Sequence, residues 1–354
     1  MNVDHFSLRS IKMITRIIDE NSIKRAKALI DNAQRIVIVC HTSPDGDAIG
    51  SSLAAASVFT AIGKTTNVVI PDQALFYLKG LPGAKEMVDA MRYPDFAAEL
   101  INGADLIVCL DFNEFSRTAR LADVLRNSKA PKILIDHHIG PDMDAEVVIS
   151  HPEMAATAYL LFRFFCRLEL FNFIDRDAAE CLLAGMMTDT GNFSYNCNDA
   201  ELYIVEAELI RKGADKNKLY RMLFNTQSAH CLRLNAYAIL KKMEVFHDYG
   251  GALITLSRDE LNRFHYTRGD TEGLVNRPLA IPGIEFCAFM RQETDMVRVS
   301  MRSVGDFSVK DVCAEYFGGG GHLNAAGGEF YGTLEDAATL FRSILPKISR
   351  KKHK

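Results

Sequence analysis

Four segments of this chain carry acids and histidines at spacings that could hold metal ions. They are His41-Thr-Ser-Pro-Asp45-Gly-Asp47, a lone Asp111, the run Asp136-His137-His138, and Asp189. In the first, two carboxylates at i and i+2 of an extended loop can point the same way. Gly46 between them removes the steric bar to a tight turn. The same residues also have an ordinary structural reading. Pro44-Asp45-Gly46 is turn chemistry, and Asp47 precedes a predicted helix, where a carboxylate is favoured as a cap and by the helix dipole. Asp111 alone reads as a turn or cap more readily than as a ligand. Asp136-His137-His138 is harder to explain structurally, because it directly follows four residues expected to be buried. A ligating imidazole wants a carboxylate or carbonyl on its other nitrogen, and Asp136 is a candidate for that role. Asp189 closes an apolar helix containing Leu182, Leu183, Met186 and Met187. A carboxylate there sits at the unfavourable end of the dipole, and a metal would compensate for it.

The conjunction says more than any part. Oxygen and imidazole donors with no cysteine among them favour Mn²⁺ or Mg²⁺, with Fe or Co as further options, over structural zinc. Two such ions about 3.5–4 Å apart clamp the attacking and leaving oxygens of an in-line displacement at phosphorus.

These residues must be positioned by strands. Arg35-Ile-Val-Ile-Val-Cys40 is a continuous apolar run rich in β-branched residues, as in a strand buried on both faces of a parallel sheet. A helix of small residues is predicted from about Ala48 to Ile62, then a strand at Asn67–Ile70. Asp105–Leu110 and Lys132–Ile135 are further strands, ending at Asp111 and Asp136. Strands alternating with helices imply right-handed crossovers and a parallel sheet, with ligands beyond the carboxyl ends of the strands. His41, Asp111 and Asp136 should therefore meet at that edge. Residues 1–32 read as helix on the recurrence of Ile11, Ile14, Ile17 and Ile18. Glu153 to Met187 reads as two helices broken near Phe173–Asp175, and helices from Ala200 to Lys242 read as a connector interrupted near Gly213.

A second domain is expected from near Val245, with strands at Ala252–Leu256, Ile284–Met290 and Val297–Arg302. The loop Gly318-Gly-Gly-Gly-His322 follows. Consecutive glycines let backbone N–H groups approach an anion closely, and the small-residue run Asn324–Gly328 argues against a plain linker. Arg302 and Ser303 end the nearby strand and could contact the same phosphate. Arg291 and Arg298 read either as further contacts or as a solvated strand face.

Composition bounds the rest. At 354 residues, two domains is the natural expectation, and 48% hydrophobic with 24% charged residues is a globular balance. A net charge of −4 argues against general coating of nucleic acid or membrane, though not against a local basic site. The eight cysteines form no C-x-x-C pair and read as buried reduced thiols of a cytoplasmic protein. No signal peptide or membrane-spanning run is evident. The basic stretch from Pro346 to Lys354 reads as a frayed end.

Asp136-His137-His138 together with Gly318-Gly-Gly-Gly-His322 resembles the DHH–DHHA1 phosphoesterases, and within them the nanoRNases, bifunctional oligoribonucleases and pAp phosphatases. The resemblance runs from about Ser22 to Ile348 with the motifs in the family's order. It implies an α/β chain with a parallel-sheet DHH catalytic domain (1–195), a helical connector (196–243) and a smaller α/β DHHA1 substrate-binding domain (244–350). It also implies two divalent ions, Mn²⁺ first, with Mg²⁺ or Co²⁺ admitted. His41, Asp45 and Asp111 would bind one ion. Asp47, Asp111, His137 and Asp189 would bind the other, with Asp111 bridging. Asp136 would support the ligands, and His138 would face the scissile phosphate as stabiliser or proton donor. Arg302, Ser303, Gly318, Gly319, Gly320, Gly321 and His322 would hold the substrate's terminal phosphate or nucleotide.

The substrates so implied are very short oligoribonucleotides and pAp. A cyclic- or linear-dinucleotide phosphodiesterase with the same machinery, and a catalytically silent nucleotide-binding protein, are the alternatives. The catalytic motifs show no departure from the family pattern, and the family's inorganic pyrophosphatases lack Gly-Gly-Gly-His. The N-terminal helix or the connector is the candidate surface for a homodimer.

Overall fold

The computed structural model describes residues 17–349. These fall into two compact units, the first ending at Thr226 and the second beginning at Gln227. The first helix, α1, spans Glu20–Asn32, with Asp19 accepting from the Ser22 amide as N-cap. The rest of the expected N-terminal helix, residues 1–16, lies outside the described residues, as do residues 350–354 of the basic tail.

The first unit is built on six parallel strands. They are β1 (Arg35–Val39), β2 (Thr65–Ile70), β3 (Val88–Asp89), β4 (Leu106–Leu110), β5 (Lys132–Asp136) and β6 (Val147–Ser150). Their order is β3-β2-β1-β4-β5-β6, and every adjacent pair is parallel. Side chains alternate between two cores, as strand geometry requires. Ile36, Ile38, Val108 and Ile135 enter one core, and Val37, Val39, Ile107 and Leu134 the other. Strand β6 carries no signal as strong as the other runs and is not among the sequence expectations. β5 runs one residue further than expected and includes Asp136.

The helices of this unit are α2 (Gly46–Ala61), α3 (Pro94–Asn102), α4 (Ala122–Asn127), α5 (Thr157–Arg167), α6 (Arg176–Asp189), α7 (Ala200–Arg211) and α8 (Lys216–Phe224). The composition of α2 has a packing cause. A Cβ on Gly50 would lie 2.4 Å from the Cys181 carbonyl oxygen, and one on Gly46 would lie 2.3 Å from Thr188 Cγ2. The backbones of α2 and α6 therefore approach closely. That approach brings the start of α2, with Asp47, alongside the end of α6, with Asp189.

The second unit contains α9 (Ala229–Tyr237), β7 (Met243–Phe246), β8 (Gly251–Leu256), α10 (Arg258–Arg263), β9 (Phe286–Gln292), β10 (Val297–Ser303), α11 (Val309–Tyr316), β11 (Gly320–Gly321), β12 (Ala325–Phe330) and α12 (Leu334–Ile348). Its sheet has the order β11-β12-β10-β9-β8-β7. Only β8 and β9 are parallel; the other neighbours are antiparallel. Residues 196–243 are thus shared between the units, α7 and α8 with the first and α9 with the second. Helix α12 continues through Pro346 to Ile348 instead of fraying there, since Phe341, Ile344 and Leu345 are buried.

Alanine favours a helix interior over glycine by about 1 kcal/mol, yet Gly50→Ala should destabilise the protein by about 1–3 kcal/mol, as overpacking does. A urea unfolding series on the wild type and the variant measures the difference.

Candidate metal centre

The strand order 3-2-1-4-5-6 reverses direction between β1 and β4, and ligands of such sheets bind in the crevice beyond the strand ends at that point. His41 lies just past β1 and Asp111 just past β4. Asp111 takes a positive φ of 66°, and Ser43 in the loop after β1 takes 53°. Each costs of order 1 kcal/mol and re-aims a turn at the same edge. Three hydrogen bonds hold that loop down. Asp72, beyond β2, accepts from the Ser43 amide at 2.7 Å and from Thr42 Oγ1 at 3.0 Å. The Thr42 amide donates to the Arg117 carbonyl at 2.7 Å.

Ligand-type atoms within 4.8 Å of one another form three groups: His41, Asp45 and Asp111; Asp47, His137 and Asp189; and Asp111, His137 and His138. Asp111 belongs to two of them. Its Oδ2 is 3.4 Å from His41 Nε2 and its Oδ1 is 3.5 Å from His137 Nε2. His137 Nε2 is also 3.2 Å from Asp189 Oδ2. Both imidazoles are set the same way. His41 donates from Nδ1 to the Thr42 carbonyl at 2.7 Å, and His137 from Nδ1 to the Met154 carbonyl at 3.0 Å. A donor at Nδ1 leaves Nε2 as the nitrogen facing the carboxylates, the one that would ligate once its proton is displaced, which is how a ligating histidine is oriented.

Asp136 does not serve the group in general; it grips His138. Its Oδ1 accepts from the His138 ring Nδ1 at 2.7 Å and its Oδ2 from the His138 amide at 3.0 Å. The roles of Asp45 and Asp47 also sort themselves. Asp45 is the N-cap of α2, taking the amides of Asp47 and Ala48 at 3.0 Å each. Asp47 lies inside the first turn, fully buried, and takes the Thr157 and Ala158 amides of α5 at 2.6 and 2.9 Å.

No lysine or arginine pairs with Asp45, Asp47, Asp111, Asp136 or Asp189 among the described residues, so imidazoles, amides and the Thr157 hydroxyl offset this charge. Burial would raise the Asp111 carboxyl, but the hydrogen bond and charge of His41, with His138 and His137, hold it below the usual carboxylate range. Asp47 is pushed well above that range by burial and then by Asp111 and Asp189. Burial, with Asp45 adding, pushes Asp189 up to about 6 against the pull of His137. Burial opposes charge on His41 and His137, yet the surrounding aspartates carry both well above the ordinary imidazole range. Buried carboxylates that raise the proton affinity of the two imidazoles aimed at them form an oxygen and nitrogen donor set that fits divalent cations, which would take the place of those protons.

The predicted phosphate-binding residues lie in the second unit and are placed there individually. Along β10, Arg298, Ser300 and Arg302 alternate outward while Val297, Val299, Met301 and Ser303 face the core. Ser303 is therefore turned away from Arg302. Its hydroxyl donates to the Phe307 carbonyl at 2.6 Å and accepts from Asn324 Nδ2 at 2.9 Å. Arg302 donates to the Met301 carbonyl. A cleft of about 290 Å³ is lined by Arg298, Ser300, Gly318, Gly319, Gly327 and Glu329. A Cβ on Gly319 would lie 1.9 Å from the Gly327 carbonyl oxygen, so this glycine is needed for close approach to β12. The loop's amides are partly committed: Gly319 donates to Cys313, His322 donates to Ala325, and Gly320 and Gly321 pair with Gly327 and Ala326.

Two contributors escaped the sequence reading. Asp72 was detectable by the rule that selected Asp111, an acid just beyond an apolar strand. Thr157, whose hydroxyl donates to Asp111 Oδ1 at 3.0 Å, looks like any helix-start residue.

Burial pushes the Asp189 carboxyl up to about 6 in the folded chain, from 3.8 for an ordinary aspartate. The protonated form favours folding, so this stability is complete below about 3.8 and is lost as pH rises through about 6. In chelator-treated protein the unfolding midpoint should fall across that window, and Asp189→Asn should remove this component. Excess Mn²⁺ should reverse the trend, because ions bind the deprotonated set. Thermal melts at stepped pH test both statements.

Known proteins resemble this chain over most of its length. The model of the DHH family, N-terminal domain, matches residues 35–186, and that of the DHHA1 domain matches residues 253–347. The chain is 31% identical over 308 residues to the bifunctional oligoribonuclease and PAP phosphatase NrnA of Thermus thermophilus, covering 86% of each chain. It is 26% identical over 300 residues to the protein of the same name from Bacillus subtilis, covering 84% of this chain and 89% of that one. A crystal structure of an exopolyphosphatase-related protein from Bacteroides fragilis superposes with a TM-score of 0.91 at 45% identity, covering 94% of this chain and 97% of that one. The chain belongs to the DHH family, with a DHH N-terminal domain followed by a DHHA1 domain.

Proposed function

We propose that this chain is a metal-dependent phosphoesterase that degrades very short oligoribonucleotides to mononucleotides and removes the 3′-phosphate of pAp, using Mn²⁺ in the cytoplasm. The observation that carries the reading is the pair His41 and His137, each tautomer set by a backbone carbonyl and each Nε2 beside Asp111. The relatives named oligoribonuclease and PAP phosphatase, matched over most of their length, support the substrate class.

His41, Asp45 and Asp111 would hold one ion, and Asp47, His137 and Asp189, with Asp111 shared, the other. Bound divalent ions would supply an activated water and neutralise charge developing at phosphorus. The chain's own groups do the rest. Asp136 fixes the His138 ring by its Nδ1, so Nε2 is the nitrogen that meets a phosphate oxygen or the leaving group, as stabiliser or proton donor. In the second unit the outward face of β10 and the glycine loop are the candidate surface for a phosphate or nucleotide. The cleft of about 290 Å³ is at the small end of ligand pockets, which favours one nucleotide over a long strand. Arg298 and Ser300, which line it, join Arg302 and His322 as candidate contacts, and Ser303 supports the strand from inside. No helix among the described residues is long and apolar enough to cross a membrane.

The test is turnover of pAp, linear and cyclic diadenylate, and RNAs from dinucleotide to long strand, with Mn²⁺ and with chelator. Dinucleotide and pAp should be cleaved fastest. Asp111→Asn should lower kcat by about 10³-fold or more, the loss of several kcal/mol of transition-state stabilisation. Faster cleavage of the longest RNA overturns the short-substrate reading, and unchanged turnover in Asp111→Asn overturns the site.

A further inference from the structure

Helix α5 begins without a side-chain cap of its own, because its N-cap residue is Ala156. The first amides of a helix lack intrahelical partners. Here two of them are taken by Asp47, 110 residues away in sequence: Thr157 N–H reaches Oδ2 and Ala158 N–H reaches Oδ1. The helix dipole favours that negative charge. Both Asp47 oxygens are thereby fixed in direction. The third donor of this turn is the Thr157 hydroxyl, which lies 3.0 Å from Asp111 Oδ1. Thr157 itself is fully buried, and its β-branched side chain has few rotamers available.

The contact falls on the oxygen that matters for sharing. Asp111 turns Oδ2 to His41 and Oδ1 to His137. One oxygen faces each ligand group, and rotation about Cβ–Cγ would present both to the same side. We infer that Thr157 is a positioning residue whose hydroxyl locks the Asp111 carboxylate in the orientation that bridges two ions. This inference rests on the two-metal reading above. Removing the hydroxyl frees Oδ1, so the ion on the His137–Asp189 side should be weakened and the ion on the His41–Asp45 side spared. A merely structural Thr157 would change stability and leave both affinities alone.

Calorimetric titration with Mn²⁺ alone, with electron paramagnetic resonance of the loaded protein, tests this without reference to turnover. The wild type should bind two ions with an exchange-coupled signal. Thr157→Val should lose that coupling and bind the second ion about ten- to a hundredfold more weakly, the usual effect of removing a partner that orients a ligand. Thr157→Ser, which keeps the hydroxyl, should restore both. In an Asp189→Asn background the remaining ion should be insensitive to Thr157→Val; in a His41→Ala background it should be sensitive.

A folded Thr157→Val with two unchanged affinities and intact coupling overturns the inference. So does a Thr157→Ser that loses the second ion, which decides the matter even if the valine variant does not fold. A wild type that binds no pair of ions instead overturns the two-metal reading itself.

Discussion

Carboxylates withdrawn from water repel one another and lose their hydration, and each must be offset by a hydrogen bond, an opposite charge or a proton. The first unit gathers Asp45, Asp47, Asp111, Asp136 and Asp189 at one sheet edge with no lysine or arginine paired to them among the described residues. Asp47 and Asp136 are fully buried and Asp111 nearly so. The offsets present are amides, imidazoles and one hydroxyl. They leave Asp47 and Asp189 with a raised affinity for protons and the histidines with a raised affinity for charge. Each of these shifts expresses a demand for positive charge at one place. The rest of the unit can be understood as the scaffold that maintains this demand.

That scaffold works by convergence of element ends. Two neighbouring strands, β1 and β4, deliver His41 and Asp111 at the point where the strand order reverses, and β5 delivers Asp136 and the histidines beside them. Helix α2 starts at this edge and α6 finishes there, and their glycine-mediated contact puts Asp47 near Asp189. Helix α5 points its first turn at the same spot and supplies donors in place of cations. Strained turns at Ser43 and Asp111 persist because Asp72, Arg117 and Thr157 hold the groups around them.

The second unit solves a different problem. Its sheet alternates core and surface along β10, so one face is free to carry Arg298, Ser300 and Arg302 while the other packs against α11 and α12. The glycines serve backbone proximity more than looseness. Gly319 and Gly327 lie so close that no side chain fits between them, and the cleft they border is made largely of main chain.

Much of this was legible in the sequence because it is local. Apolar β-branched runs mark buried strands, so the acids and histidines that follow them could be placed at one edge; a family resemblance then divided them between two ions. Asp189 at the end of an apolar helix and the broken pattern near Phe173–Asp175 were readable for the same reason. What the sequence could not supply was choice among neighbours. By position Asp47 read as the cap and Asp45 as part of a turn; the structure instead makes Asp45 the cap of α2 and buries Asp47 against the start of α5. Ser303 looked like a phosphate contact beside Arg302, but a one-residue step along a strand turns a side chain to the opposite face, and packing against Phe307 and Asn324 shows which face that is. Thr157 had no local mark at all. Periodicity and spacing describe one element at a time, whereas a hydrogen bond between Thr157 and Asp111, or between Asp47 and an amide 110 residues away, exists only after the elements have packed.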